Sequence, residues 1–192
     1  MVLSKRLFAA IKIIPDSHFI SVFEEMKQRL SHEKIKWVET NNLHLTLKFF
    51  GETPQERIPQ INIALGNTVN RSSSFQMKIE MTWIFGSRYN PKLIWAGISD
   101  VNSLIDLEKD MMKQLMKIGF RENRENFVPH LTLGRIKNLQ DKKLFQNIIA
   151  DFWEESYQEI VVEKLYLFDS ILQKTGPVYS VVKEFQLKAN RK

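Results

Sequence analysis

The tetrapeptide His44-Leu45-Thr46-Leu47 recurs unchanged as His130-Leu131-Thr132-Leu133, 86 residues further on. The same offset carries Leu7-Phe8-Ala9-Ala10-Ile11 onto Leu93-Ile94-Trp95-Ala96-Gly97, two short apolar runs that read as buried strands. Each run precedes a helical pattern. Phe19, Val22, Phe23, Met26 and Leu30 share one helix face in the first copy, with Pro15 near its start. Leu104, Leu107, Met111, Leu115 and Ile118 do so in the second, with Gly119 as the stop. Two further helices are expected after the histidine strands, over about 55–69 and about 141–151. The strand alternation of Phe75, Met77, Ile79, Met81 and Trp83 maps at the same offset onto Val161, Glu163, Leu165, Leu167 and Asp169.

Strand, helix, histidine strand, helix and strand therefore occur twice, and the expected fold is α+β with two pseudo-symmetric lobes. Each lobe is an antiparallel sheet with helices on its outer face, and a central cleft lies between them. The approximate lobes are 1–89 and 90–176 of a single bilobal domain. Pro177 to Leu187, in which Tyr179, Val181 and Phe185 alternate, supplies a last strand within 177–192 that returns to the first lobe.

At 192 residues and 43% apolar composition the chain can bury a substantial core, which argues against disorder. Lysine and arginine exceed acidic residues by 28 to 22, a net charge of +6 that permits an anionic partner without specifying one. No cysteine is present, so disulfides, thiolate metal sites and cysteine nucleophiles are excluded, and a cytoplasmic location is expected. Lys12 interrupts the apolar run that follows Lys5-Arg6, leaving it too short for a signal-peptide core. No stretch approaches the roughly 20 apolar residues of a membrane span. A monomer is the default expectation.

Alternation along a strand puts His44 and Thr46 on one face and Leu45, Leu47 and Phe49 on the other, in apolar packing; His130, Thr132, Leu131 and Leu133 repeat this. A duplicated core needs repeated leucines but has no comparable need for repeated histidine and threonine. Two histidines on opposite walls of a groove suit displacement at phosphorus, where one oxygen attacks as another leaves. An imidazole with an ordinary pKa near 6.5 can serve as either the base or the acid. The threonine hydroxyls can hold the non-bridging phosphate oxygens. His18 and His32 lack such a pairing and read as structural or surface residues. Neither motif histidine has the neighbouring carboxylates that would complete a metal shell. Nucleophile-elbow and glycine-rich nucleotide motifs are absent.

The chain resembles the 2H phosphoesterase superfamily, and within it the RNA 2',3'-cyclic phosphodiesterases, also called 2'-5' RNA ligase-like proteins. The resemblance is carried by Arg6-Leu7-Phe8, Trp37-Val38, Leu43 through Gly51, Leu93 through Gly97, Phe127 through Arg135, and Gly176-Pro177-Val178-Tyr179. It implies that His44 donates a proton to the departing 3' oxygen while His130 activates water, giving an RNA 2'-phosphate. The residues alone leave those two roles interchangeable. It also implies that Thr46 and Thr132 contact the phosphate, that no metal or other cofactor takes part, and that weak 2'-5' ligation runs in reverse.

Arg135 matches a phosphate-contacting position of the family, although strict alternation from His130 would turn it away unless Gly134 marks a bulge. By parity, Phe50 and Lys48 share the His44 face, where Phe50 could stack a terminal base and Lys48 could steer the RNA backbone. Trp95 reads as core. Two other readings stay open at this point: an RNA-binding module without catalysis, and a phosphodiesterase for a small cyclic nucleotide or sugar cyclic phosphate.

Overall fold

In the computed structural model, which describes residues 3–87, 89–121, 127–173 and 176–190, thirteen named helices and strands follow one another in the expected duplicated order. They are β1 (Ser4–Lys12), α1 (Ser17–Arg29), β2 (Lys34–Trp37), β3 (His44–Pro54), α2 (Ile58–Val69), β4 (Phe75–Ser87), β5 (Asn90–Ser99), α3 (Asn102–Met116), β6 (His130–Asn138), α4 (Lys142–Asp151), β7 (Ser156–Val162), β8 (Lys164–Gln173) and β9 (Gly176–Gln186). The helices start where their caps dictate. Asp16 accepts from the Phe19 amide at 2.8 Å, and Asp141 accepts from the amides of Lys143 and Leu144. Gly119, at φ +85°, follows α3 in a conformation that glycine adopts without a Cβ clash.

The strands form two antiparallel sheets, ordered β3-β1-β8-β9 and β2-β6-β5-β4-β7. Matching by the repeat, β3, β1 and β8 of the first sheet correspond to β6, β5 and β4 of the second. A division at residue 89 does not follow the sheets. β4, from the first half of the chain, pairs in the second sheet, and β8, from the second half, pairs in the first, beside the returning β9. The reason is local: residues 156–173 form two strands, and the chain crosses between the sheets at Glu163 where the repeat suggested one strand.

Helices cross over as well. α1 packs on the second sheet, with Phe19 against Tyr157 and Phe23 against Trp37. The end of α3 meets the first sheet, where Phe120 packs on Phe50 and Arg57 donates to the carbonyl of Ile118. One continuous apolar core results, joining Leu7, Ile11, Leu45 and Leu165 of the first sheet to Ile79, Ile94, Leu131 and Leu133 of the second. A separate small cluster of Phe8, Ala10 and Phe168 lies on the opposite face of the first sheet, with Tyr166 and Tyr179 against it.

Candidate active site

His44 opens β3 and His130 opens β6. Nδ1 of His44 lies 2.6 Å from the carbonyl oxygen of Asn42, and Nδ1 of His130 lies 2.8 Å from that of Val128. A carbonyl can only accept, so each Nδ1 carries a proton and donates it. Nε2 is thereby the nitrogen left to exchange a proton, and both rings are fixed in the same tautomer by the same device.

Aromatic rings wall both imidazoles. Phe8 and Tyr179 lie 4.9 and 5.0 Å from the His44 ring, the tyrosine edge-on. Phe85 lies edge-on to His130 at 5.1 Å and Trp95 at 6.0 Å, with Phe85 and Trp95 stacked on each other. The enclosure has an electrostatic consequence. Burial pushes the His44 pKa below the ordinary imidazole value; the Asn42 hydrogen bond opposes this, and the charges of Arg135 and His130 add to the lowering. Those last two contributions also place Arg135 and His130 within electrostatic reach of His44. Burial raises the Tyr179 pKa despite nearby Arg135 and Arg6, so its hydroxyl stays protonated at neutral pH and remains a donor.

Thr46 pairs with Ala10, whose side chain belongs to the Phe8 cluster, and so shares the His44 face. Thr132 pairs with Trp95 and shares the His130 face. Trp95 is therefore a half-buried wall of the groove, not a core residue. The register between β5 and β6 slips between Ile94 and Trp95, leaving Leu133 as an extra residue ahead of Gly134. Leu133 and Gly134 then both turn toward the core, and Arg135 returns to the histidine face.

The first sheet uses the same device with a different result. A bulge at Leu47 pairs Lys48 with core-facing Ala9, and the Lys48 ammonium donates to the carbonyl of Arg121 at 3.2 Å, under the influence of Glu108. A second bulge, at Phe50, turns that ring onto Phe120. Neither Lys48 nor Phe50 shares the His44 face as parity had suggested. Phe49, expected in apolar packing with Leu45 and Leu47, takes that face instead, because the Leu47 bulge reverses the count: it pairs with Phe8, lies 5.9 Å from its ring and is 67% exposed. The signal for Phe49 was available in the repeat, because Phe49 and Arg135 each stand five residues beyond a motif histidine. Phe8 and Tyr179 stood in stretches that carry the family resemblance but were not read as site residues, and Phe85 carried no signal.

The other histidines lie outside this constellation, His18 against the carbonyl of Ser156 and His32 beside Glu33. Among the described residues, no three His, Cys, Asp or Glu side chains are grouped to hold a metal ion, and no helix is long and apolar enough to cross a membrane.

Two sheets that each present a His-x-Thr strand to one groove define the class: this is a 2H phosphoesterase. The sequence pattern described as LigT like Phosphoesterase matches residues 12–95 and again 98–179, and the chain belongs to that family. The two matches begin 86 residues apart, the offset of the histidine repeat.

A protein of Methanocaldococcus jannaschii named RNA 2',3'-cyclic phosphodiesterase is 32% identical over 183 residues, which cover 94% of this chain and 99% of that one. One of Thermotoga maritima with the same name is 33% identical over 176 residues, covering 87% and 92%. Among solved structures, TT0787 of Thermus thermophilus superposes with a TM-score of 0.78 at 23% identity, covering 97% of this chain and 100% of that one. E. coli LigT complexed with 3'-AMP gives 0.74 at 21%, covering 96% and 99%. At these identities the structural likeness establishes the fold.

Proposed function

We propose that the protein is a metal-independent phosphodiesterase that opens RNA 2',3'-cyclic phosphate ends to 2'-phosphomonoesters. The observation that carries the reading is the pair of imidazoles held in one tautomer by equivalent carbonyls, with a threonine two residues along each strand on the same face. The names of the relatives from Methanocaldococcus jannaschii and Thermotoga maritima supply the substrate.

Water attacks phosphorus in line with the 3' oxygen, and Nε2 of His130 takes its proton. The P–O3' bond breaks, and Nε2 of His44 protonates the departing oxygen. The products are a free 3' hydroxyl and a phosphate retained on the 2' oxygen. Thr46 and Thr132 donate to the non-bridging oxygens, and Arg135 offsets their charge, so that charge developing at phosphorus meets fixed donors. Each positioned proton transfer contributes roughly 10²- to 10⁴-fold in rate.

Burial of His44 disfavours its acid form in the unliganded groove, and the bound phosphate anion reverses this by stabilising the imidazolium. The guanidinium of Arg135, within electrostatic reach of His44, draws an anion and repels a cation, in keeping with chemistry that needs no metal. With a 5' hydroxyl attacking in place of water, the same steps break the P–O3' bond and join the cyclic end to a second strand through a 2'-5' linkage, a weaker ligation. The protein acts as a monomer in the cytoplasm.

The test is a short RNA ending in 2',3'-cyclic phosphate, incubated with chelator and with wild type, His44→Ala or His130→Ala. A 2'-phosphate product formed by wild type and reduced at least about 10²-fold in each variant supports the reading. No turnover of this RNA, or full activity in either variant, overturns it.

A further inference from the structure

The groove is not the only concave surface suited to an anion. Where the β4–β5 turn meets the end of β6 and the start of α4, a cavity of about 150 Å³ is lined by Tyr89, Lys92, Lys137, Asn138 and Lys142, and by no carboxylate. Among the described residues, none of the three lysines is in a salt bridge, whereas Lys5, Lys27, Lys78 and Lys164 each have an acidic partner. Lys142 and Lys143 stand in the first turn of α4, where the helix dipole disfavours cations; fold stability does not account for lysines there. The Asp141 carboxylate is engaged by the amides of Lys143 and Leu144.

The frame under the cavity is held in place. The Glu33 carboxylate accepts from the amides of Gln140 and Asp141 at 2.5 and 3.0 Å, tying the β6–α4 loop to the start of β2. Tyr89, 79% exposed, adds an aromatic face beside the cations, the pairing that single-stranded nucleic acid prefers. The cavity and the active site share strand β6, which opens at His130 and ends at Asn138. Lys137 follows Arg135 by two residues of strand, a rise of about 7 Å. Lys36 pairs with Arg135 across β2 and approaches Gly176, extending the basic surface between the two.

We propose that this lysine cavity binds the phosphodiester backbone of the RNA strand 5' to the cyclic end, with Tyr89 against one of its bases. The inference rests on the reaction proposed above, because it takes the strand's reacting end to lie in the histidine groove. It makes the enzyme selective for oligonucleotides over a cyclic mononucleotide, which ends before the cavity begins.

The experiment compares kcat/KM on a 2',3'-cyclic mononucleotide and on RNAs of two to six nucleotides, for wild type and for Lys92→Gln/Lys137→Gln/Lys142→Gln. Wild type is expected to gain with length and the triple variant to lose that gain through KM, with the mononucleotide rate unchanged. Each phosphate contact on a single strand contributes about 0.7 to the slope of log affinity against log salt, so three lost contacts flatten it by about 2. Replacing the three lysines by arginine keeps the gain. An unchanged length dependence in the glutamine variant overturns the proposal, as does an equal loss on mononucleotide and oligonucleotide. If no cyclic phosphate is turned over at all, the proposed reaction fails. Anisotropy of a labelled single-stranded RNA still reads the cavity, since binding weakened in the glutamine variant sustains it and unaltered binding removes it.

Discussion

The lowered pKa of His44 has a consequence for the folded protein as well as for catalysis. Between that lowered value and the ordinary 6.5 or so, the unfolded chain binds a proton at His44 that the folded chain refuses. The resulting stability is fully present above about pH 6.5 and is lost as pH falls through the folded value. Thermal midpoints of wild type should drop on acidification through this window, and those of His44→Gln should drop less; equal pH dependence would show that burial does not bias the ring. Phe49 and Phe50 make a second contrast at this scale. Phe49→Ala removes an exposed ring beside Phe8, and the expected outcome is an unchanged unfolding midpoint with KM for RNA raised about tenfold, the order of one lost base-stacking contact. Phe50→Ala opens the packing on Phe120 and should cost about 2 kcal/mol in stability with little change in KM. Urea unfolding and steady-state kinetics on both variants separate the two roles, and reversed behaviour would restore Phe50 to the groove.

Bulges decide which residues reach the groove. Gly134 allows the one that aims Arg135, and it also permits close approach of β2: a Cβ at this position would meet the Trp37 ring at 2.8 Å and the Ile35 side chain at 2.9 Å. Gly134→Ala should therefore force β2 from β6, lowering stability by about 1–3 kcal/mol and raising KM as Arg135 shifts, which unfolding and kinetic measurements would read together. An unaffected KM would mean that Arg135 does not depend on this register. The repeated tetrapeptides made the histidine strands, the threonine faces and all four helices legible in the sequence, because each rests on a local period. Gly134 was legible as a break because glycine there stands out against its neighbours. Leu47 and Phe50 were not, since both are ordinary strand residues and the extra residue at each exists only relative to β1. The same holds for Met81, at φ 58° in a bulge of β4, beyond which Thr82 takes the buried position and bonds the Tyr157 hydroxyl. Parity counted through one such point assigns the side chains that follow to the wrong face until a second bulge restores the count, as Phe50 does in β3.

At the scale of the whole molecule, a sequence repeat of 86 residues has not produced two separable units. The first sheet takes β8 and β9 from the second half of the chain and the second sheet takes β2 and β4 from the first, α1 covers the second sheet, and the apolar core runs through both. Exchange of this kind fixes one histidine strand relative to the other, which the two-histidine chemistry proposed above requires. It also predicts how the protein unfolds. Neither sheet can open without stripping strands or helices from its partner, so a single cooperative transition is expected despite the duplicated architecture. The four tryptophans make the test direct. Trp37, Trp83 and Trp95 lie in the second sheet and Trp153 packs against Trp83, so fluorescence reports that side, whereas far-UV circular dichroism reports helices and strands of both. In urea the two signals should share one midpoint. A tryptophan transition separated from the dichroism would show that the second sheet melts alone, and the exchanged strands would then not couple the two histidines.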